Sequence, residues 1–134
     1  MPRLSVDIDL TYLPVDNRVN ALTGINAALQ RIASQIEASF PDTIAQHRQT
    51  DAKLIVSNKD ASIKVEVNII KRGCFNPPEM KLLCAEAQQE FDVFCDIQVV
   101  EKSHLFGGKI CAALDRQHPR DLFDIQQLFK TQQF

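Results

Sequence analysis

The residues of this chain best placed to do chemistry are carboxylates on an alternating strand. Positions 3–10 read R-L-S-V-D-I-D-L, so Asp7 and Asp9 stand two apart among β-branched and apolar residues. On an extended backbone, side chains two apart project to one face, a few ångströms from each other. The strand that carries them brings no opposite charge of its own, and two such carboxylates repel unless a cation sits between them. A hard divalent ion such as Mg²⁺ suits the arrangement, because it takes oxygen ligands and leaves room for substrate phosphates. Glu66, in I-K-V-E-V, has the same outward position on a second strand. Three carboxylates converging from two adjacent strands would make a metal site. Taken alone, D-x-D reads more readily as a solvated polar strand face, and it is Glu66 that shifts the balance.

A second dense stretch runs from Gly107 to Asp124, G-G-K-I-C-A-A-L-D-R-Q-H-P-R-D-L-F-D. Gly107 and Gly108 would allow close backbone approach near the start of a helix. They do not make a phosphate loop: G-x-x-x-x-G-K-[ST] and G-x-G-x-x-G are both absent. Lys109 lies on the helix flank, where its ammonium could reach a phosphate or simply face solvent. Asp121 is equally a first-turn carboxylate favoured by the helix dipole. Arg120 and Asp124, four apart, can pair with each other. H-P-R-D-L carries an inserted proline and no downstream Asn, and the chain is far too short for a kinase. G-x-S-x-G is absent, and His47, His104 and His118 are too scattered to name a base.

The elements that must position these groups follow from periodicity. From Ser5 to Leu13, Val6, Ile8, Leu10 and Tyr12 alternate with Asp7, Asp9 and Thr11, which predicts a strand that Pro14 ends. Asp16 or Asn17 then caps a long helix with Leu22, Ile25, Leu29, Ile32, Ile36 and Phe40 inward, closed by Pro41. Strands are expected over residues 43–49, 52–57 and 62–70, with a turn at Asn58-Lys59-Asp60. In the last strand Ile63, Val65, Val67 and Ile69 face one way and Lys64, Glu66 and Asn68 the other. Beyond Pro77-Pro78 come a short extended segment at 80–84, a short helix at 85–91 and a strand at 96–100. Ser103 caps a helix to about Leu114, with Phe106, Ile110 and Ala113 inward. Pro119 opens a last helix with Leu122, Ile125 and Phe129 as its apolar stripe. The fold class is α+β: a mixed sheet with a long helix and a C-terminal helical pair.

Composition bounds the rest. The 134 residues fit a single domain, with no repeat or linker to split residues 1–134. A formal net charge of −2 excludes a global basic field for nucleic acid. No run approaches the ~20 apolar residues that span a bilayer. Asp7 and Asp9 interrupt the only early apolar run, so no secretory signal is read. The four cysteines, at 74, 84, 95 and 111, have no metal-ligand spacing and are expected to be reduced thiols of a cytoplasmic protein.

R-L-S-V-D-I-D-L-T-Y-L-P, I-K-V-E-V-N-I-I-K-R-G and L-F-G-G-K-I-C-A-A-L-D-R-Q-H-P-R-D-L-F-D, in this order and spacing, resemble the AbiEii/AbiGii toxin-type nucleotidyltransferases. These are the toxin halves of bacterial type IV toxin–antitoxin and abortive-infection systems. The resemblance covers essentially the whole chain. It implies a nucleotidyltransferase-like core of the DNA polymerase β type, and transfer of NMP from an NTP to an RNA acceptor, tRNA being the acceptor the family suggests. It makes Asp7, Asp9 and Glu66 the metal and catalytic carboxylates, with Mg²⁺ as cofactor. Lys109 and Asp121 match its K…RD motif as catalytic and nucleotide-binding residues, with Arg120 beside them. Arg3 and Ser5 match the R-x-S that leads into D-x-D, and Ser5 is carried over as nucleotide-binding. A winged-helix antitoxin is the partner the family implies.

In that family a Gly-rich turn precedes D-x-D by about ten positions and grips the nucleotide phosphates as a helix N-terminus binds an anion. Only six residues precede Asp7 here, so the sequence reads as a truncated member whose first helix and strand are missing. Two rival readings follow: a catalytically dead remnant that still binds nucleotide or the antitoxin, and a structural fragment self-associating through an exposed strand edge. Without the turn, positioning is lost, and positioning supplies much of nucleotidyl-transfer catalysis. The expectation for the 134-residue chain is therefore little or no transfer to total RNA, and a homodimer by light scattering. Robust transfer abolished by Asp9→Ala would show the turn to be dispensable, and a strictly monomeric mass would count against the exposed edge.

Overall fold

In the computed structural model, which describes residues 7–70 and 73–131, the alternating segments of the first half become one mixed sheet with a helix along one face. The chain divides into two compact units, residues 1–74 and 75–134. The fold is α+β, as its periodicities predict.

The first unit contains β1 (Asp7–Leu10), α1 (Arg18–Ser39), β2 (Ile44–Arg48), β3 (Lys53–Ser57) and β4 (Ser62–Val67). The strand order is β1-β4-β3-β2. β1 runs parallel to β4, whereas β2–β3 and β3–β4 are antiparallel hairpin pairs. Asn58 closes the second hairpin, its side-chain oxygen accepting the N–H groups of Asp60 and Ala61.

Of the two residues proposed as the cap of α1, Asn17 takes the role: its Oδ1 accepts the Asn20 N–H at 2.9 Å. Asp16 instead accepts the Tyr12 hydroxyl at 2.8 Å. The Tyr12 ring lies so close to Gly24 that a Cβ there would meet its hydroxyl at 2.8 Å. Glycine at that position is what lets the exit of β1 pack on the helix.

The buried stripe of α1 is Ala21, Ile25, Leu29 and Ala33, four apart throughout. Ile32 and Ile36 pack partly buried against the core, as expected, Leu22 is half-buried, and small Ala21 and Ala33 join the fully buried positions. Ile25, Leu29 and Ala33 form one core with Ala45, Ala52, Leu54 and Val65. Phe40 is not inward. It is the C-cap residue, 61% exposed, and lines an open groove with Ile36, Val56 and Ile63. His47, opposite Leu54, turns its ring nitrogens to Asn26 (3.0 Å) and Gln30 (3.2 Å) of α1. Glu37 accepts the backbone N–H of Ala45 in the edge strand β2 at 2.9 Å. These polar contacts pin the helix to the sheet's outer strand.

The second unit contains β5 (Glu79–Leu82), α2 (Ala85–Phe91), β6 (Asp96–Val99), α3 (Lys102–Arg116) and α4 (Pro119–Thr131). β5 and β6 form a two-stranded antiparallel ladder. Ser103 does not cap α3. The cap position is Glu101, one residue before the first helical turn, and the Ser103 hydroxyl donates back to its carboxylate. α3 ends at Gln117, which adopts the left-handed conformation (φ 50°) and donates its N–H to Ala113. Pro119 then opens α4 as its fixed φ favours. Leu128 is the buried residue of that helix, while Leu122 and Phe129 are exposed.

Leu29 and Leu54 are the largest side chains buried completely. Leu54→Ala is expected to destabilise the first unit by about 2–5 kcal/mol, and Asn17→Ala by about 1 kcal/mol. Urea unfolding followed by far-UV circular dichroism measures both.

Candidate functional site

The register of three strands builds the candidate site. Asp7 stands opposite Lys64 and Asp9 opposite Glu66 across β1–β4, and Glu66 stands opposite Lys53 across β4–β3. Because neighbours in register share a face, Asp7, Asp9, Lys64, Glu66 and Lys53 all lie on the side of the sheet away from the α1-packed core. Alternation in β1 and β4 demands this, since the opposite side carries Val65 and the partly buried Leu10 and Val67.

The three carboxylates are thus neighbours, as expected, but they are not alone. The Lys64 ammonium lies 3.3 Å from Asp7 Oδ2 and 3.1 Å from Glu66 Oε1. Lys53 reaches the same Glu66 oxygen at 3.0 Å. Arg48 of β2, opposite Lys53, shares this face as well, so among the described strand residues three carboxylates meet three cationic side chains. Asp9, exposed at the middle of β1, has no ion-pair partner among the described residues. Among the described residues no group of three His, Cys, Asp or Glu side chains is arranged to hold a metal ion.

Hydrogen bonding from Lys53, then from Lys64, holds the Glu66 carboxyl below its ordinary pKa. The Lys64 ammonium is held above its ordinary value by Glu66 first and Asp7 second. Lys64 was legible as a same-face neighbour of Glu66, two residues away in K-x-E. The part played by Lys53 was not, because only the β3–β4 register brings it there.

The other residues singled out in the sequence belong to the second unit or lie outside the described residues. Arg3 and Ser5 are outside. Lys109 is exposed on α3. Gly107 and Gly108 are inside α3 rather than at its start, and a Cβ on Gly107 would meet nothing within 4 Å. No close backbone approach requires that glycine. Asp121 is in the first turn of α4, where its two oxygens receive the Nε and a terminal nitrogen of Arg116, each at 3.2 Å. Arg116 is therefore the cation on this carboxylate, and the pair ties the end of α3 to the start of α4. The backbone N–H of Arg120 donates to His118 Nδ1 at 3.2 Å.

Chemically, the sheet face offers two adjacent hard oxygen ligands on β1, with an ordered row of ammonium groups beside them. A family model described as Nucleotidyl transferase AbiEii toxin, Type IV TA system, matches residues 1–134. No curated protein and no solved structure matches the chain.

A pH consequence follows from Glu66. A carboxyl whose folded pKa lies below its unfolded value adds stability that is full above the unfolded value and is lost as pH falls through the folded one. This contribution should therefore persist to pH below the usual glutamate range and then disappear. In side-chain ¹³C NMR titrations, Lys53→Met should move the Glu66 midpoint upward, Lys53 being the larger cause.

Proposed function

The chain belongs to the AbiEii nucleotidyl transferase toxins of type IV toxin–antitoxin systems, and on that premise we propose that it transfers NMP from an NTP to an RNA acceptor, tRNA foremost. The first unit is its nucleotidyltransferase core, of the DNA polymerase β type. The observation that carries the reading is the placement of Asp7 and Asp9, side by side on the open face of β1 with Glu66 in register on β4. An antitoxin is the partner the family implies. No described helix is long and apolar enough to cross a membrane.

Asp7 and Asp9 fit Mg²⁺ by their donor chemistry: one or two carboxylates suffice when water and substrate phosphates complete the shell. Bound there, the ion would neutralise charge on the attacking and leaving oxygens. The chain's own groups orient the reactants. Asp7 and Asp9 would hold the ion on the open face of the sheet, and in the reaction the acceptor hydroxyl attacks the α-phosphorus as pyrophosphate leaves. Lys109, Arg120 and Asp121 are carried over as nucleotide-binding residues from the family's K…RD motif, and Ser5 from its R-x-S.

The Lys64 bridge between Asp7 and Glu66 favours a second reading, a nucleotide- or antitoxin-binding chain without turnover. One assay separates the two. With labelled NTPs, Mg²⁺ and tRNA, the 134-residue chain should give little transfer, and Asp9→Asn should remove what there is. Binding of NTP with no transfer above the Asp9→Asn level would favour the second reading.

A further inference from the structure

The proposed reading leaves Lys64 unexplained. Its ammonium stands between the outer carboxylate of β1 and Glu66 on its own strand, within 3.3 Å of both. We propose that Lys64 is an internal cation competing with the divalent metal for Asp7, and that Glu66 anchors Lys64 rather than ligating that metal. The inference rests on the metal reading of Asp7 and Asp9 and assigns the charged groups around them.

The argument is geometric and electrostatic. A divalent ion and an ammonium on one carboxylate repel each other more strongly than the two ammonium groups that share Glu66 Oε1, because the ion carries twice the charge and sits closer to its oxygen ligands. A metal arriving at Asp7 must therefore displace the ammonium 3.3 Å from its Oδ2. Lys64 has somewhere to go: Glu66 Oε1 is already 3.1 Å away. That same oxygen is held by Lys53 at 3.0 Å, so Glu66 already stands between two ammonium groups. A carboxylate so occupied is a poor first choice for a metal, whereas Asp9 has no such partner among the described residues. The face can thus exchange one cation for another without leaving a carboxylate or an ammonium uncompensated. Lys64 stabilises the acidic strand when metal is absent and weakens metal binding as a result.

The test is titration with Mn²⁺, followed by the electron paramagnetic resonance signal of the free ion, on the full chain and four variants. These are Lys64→Gln, Glu66→Gln, the double variant, and Asp9→Asn as the standard for losing a ligand. Circular dichroism establishes that each is folded, and Lys64→Met, which keeps the aliphatic stem, replaces Lys64→Gln if that variant is not. Removing the competing ammonium should tighten Mn²⁺ binding by about three- to tenfold, the range set by one or two exposed ion pairs. Adding Glu66→Gln to Lys64→Gln should then change affinity by less than about threefold, well short of the Asp9→Asn loss. Unchanged or weaker binding in Lys64→Gln would overturn the competition. A fall in the double variant as large as that of Asp9→Asn would overturn the anchoring role and make Glu66 a ligand. If no protein in the set binds Mn²⁺ saturably, the metal reading itself fails and this inference fails with it.

Discussion

The parallel register of β1 against β4 is the constraint from which the rest of the first unit follows. Setting Asp9 opposite Glu66, and Asp7 opposite Lys64, sends every charged side chain of the two strands to one face. It sends Leu10, Val65 and Val67 to the other, where α1 covers them. A slip of one residue would exchange the two sets, placing carboxylates against Leu29 and Ile25. Core packing and the charged face are therefore one choice of register, and the hydrophobic side of the sheet enforces the geometry of the polar side.

Over β1, β4 and β3 the ion pairs on that face alternate in sign, while like charges stand opposite each other at Asp9 and Glu66 and, at β2, at Arg48 and Lys53. Across the sheet, Asp7 meets Lys64, Lys64 meets Glu66, and Glu66 meets Lys53. Individually such half-exposed pairs contribute little to stability. Their effect lies in where they leave negative charge, which is at Asp9. The second unit uses the same device for a different end, since the two-pronged Arg116–Asp121 contact fixes the corner between α3 and α4.

Much of this was legible in sequence, for identifiable reasons. The period-two runs gave β1, β3 and β4 and the faces of Asp7, Asp9 and Glu66. Pro41, Pro119 and Asn17 marked helix ends through backbone chemistry that acts locally. What depended on contacts distant in sequence was not legible. Nothing in residues 52–57 identifies Lys53 as a partner of Glu66, because that pairing arises only through the hairpin register. The stripe of α1 holds Ile25, Leu29, Ile32 and Ile36 as its periodicity predicts, while the complete burial of small Ala21 and Ala33 depends on how closely neighbouring elements pack. At Asp121 the partner is Arg116, five residues back at the end of the preceding helix, a pairing that only the turn between α3 and α4 creates.

Among the described residues β1 spans four, Asp7–Leu10, and among the described strands it has a neighbour on one side only. Beyond it, Tyr12 and Leu13 accept backbone hydrogen bonds from Gly73 and Cys74, so the strand is secured at its far end by the close of the unit. Short outer strands detach in local fluctuations that cost less than unfolding the whole core. Any species that binds only when β1 lies against β4 shifts that detachment equilibrium by mass action. The occupancy of the acidic face and the lifetime of its outer strand are thus two readouts of a single opening equilibrium, and slow amide exchange along Asp7–Leu10 would be a property of what is bound as much as of the fold.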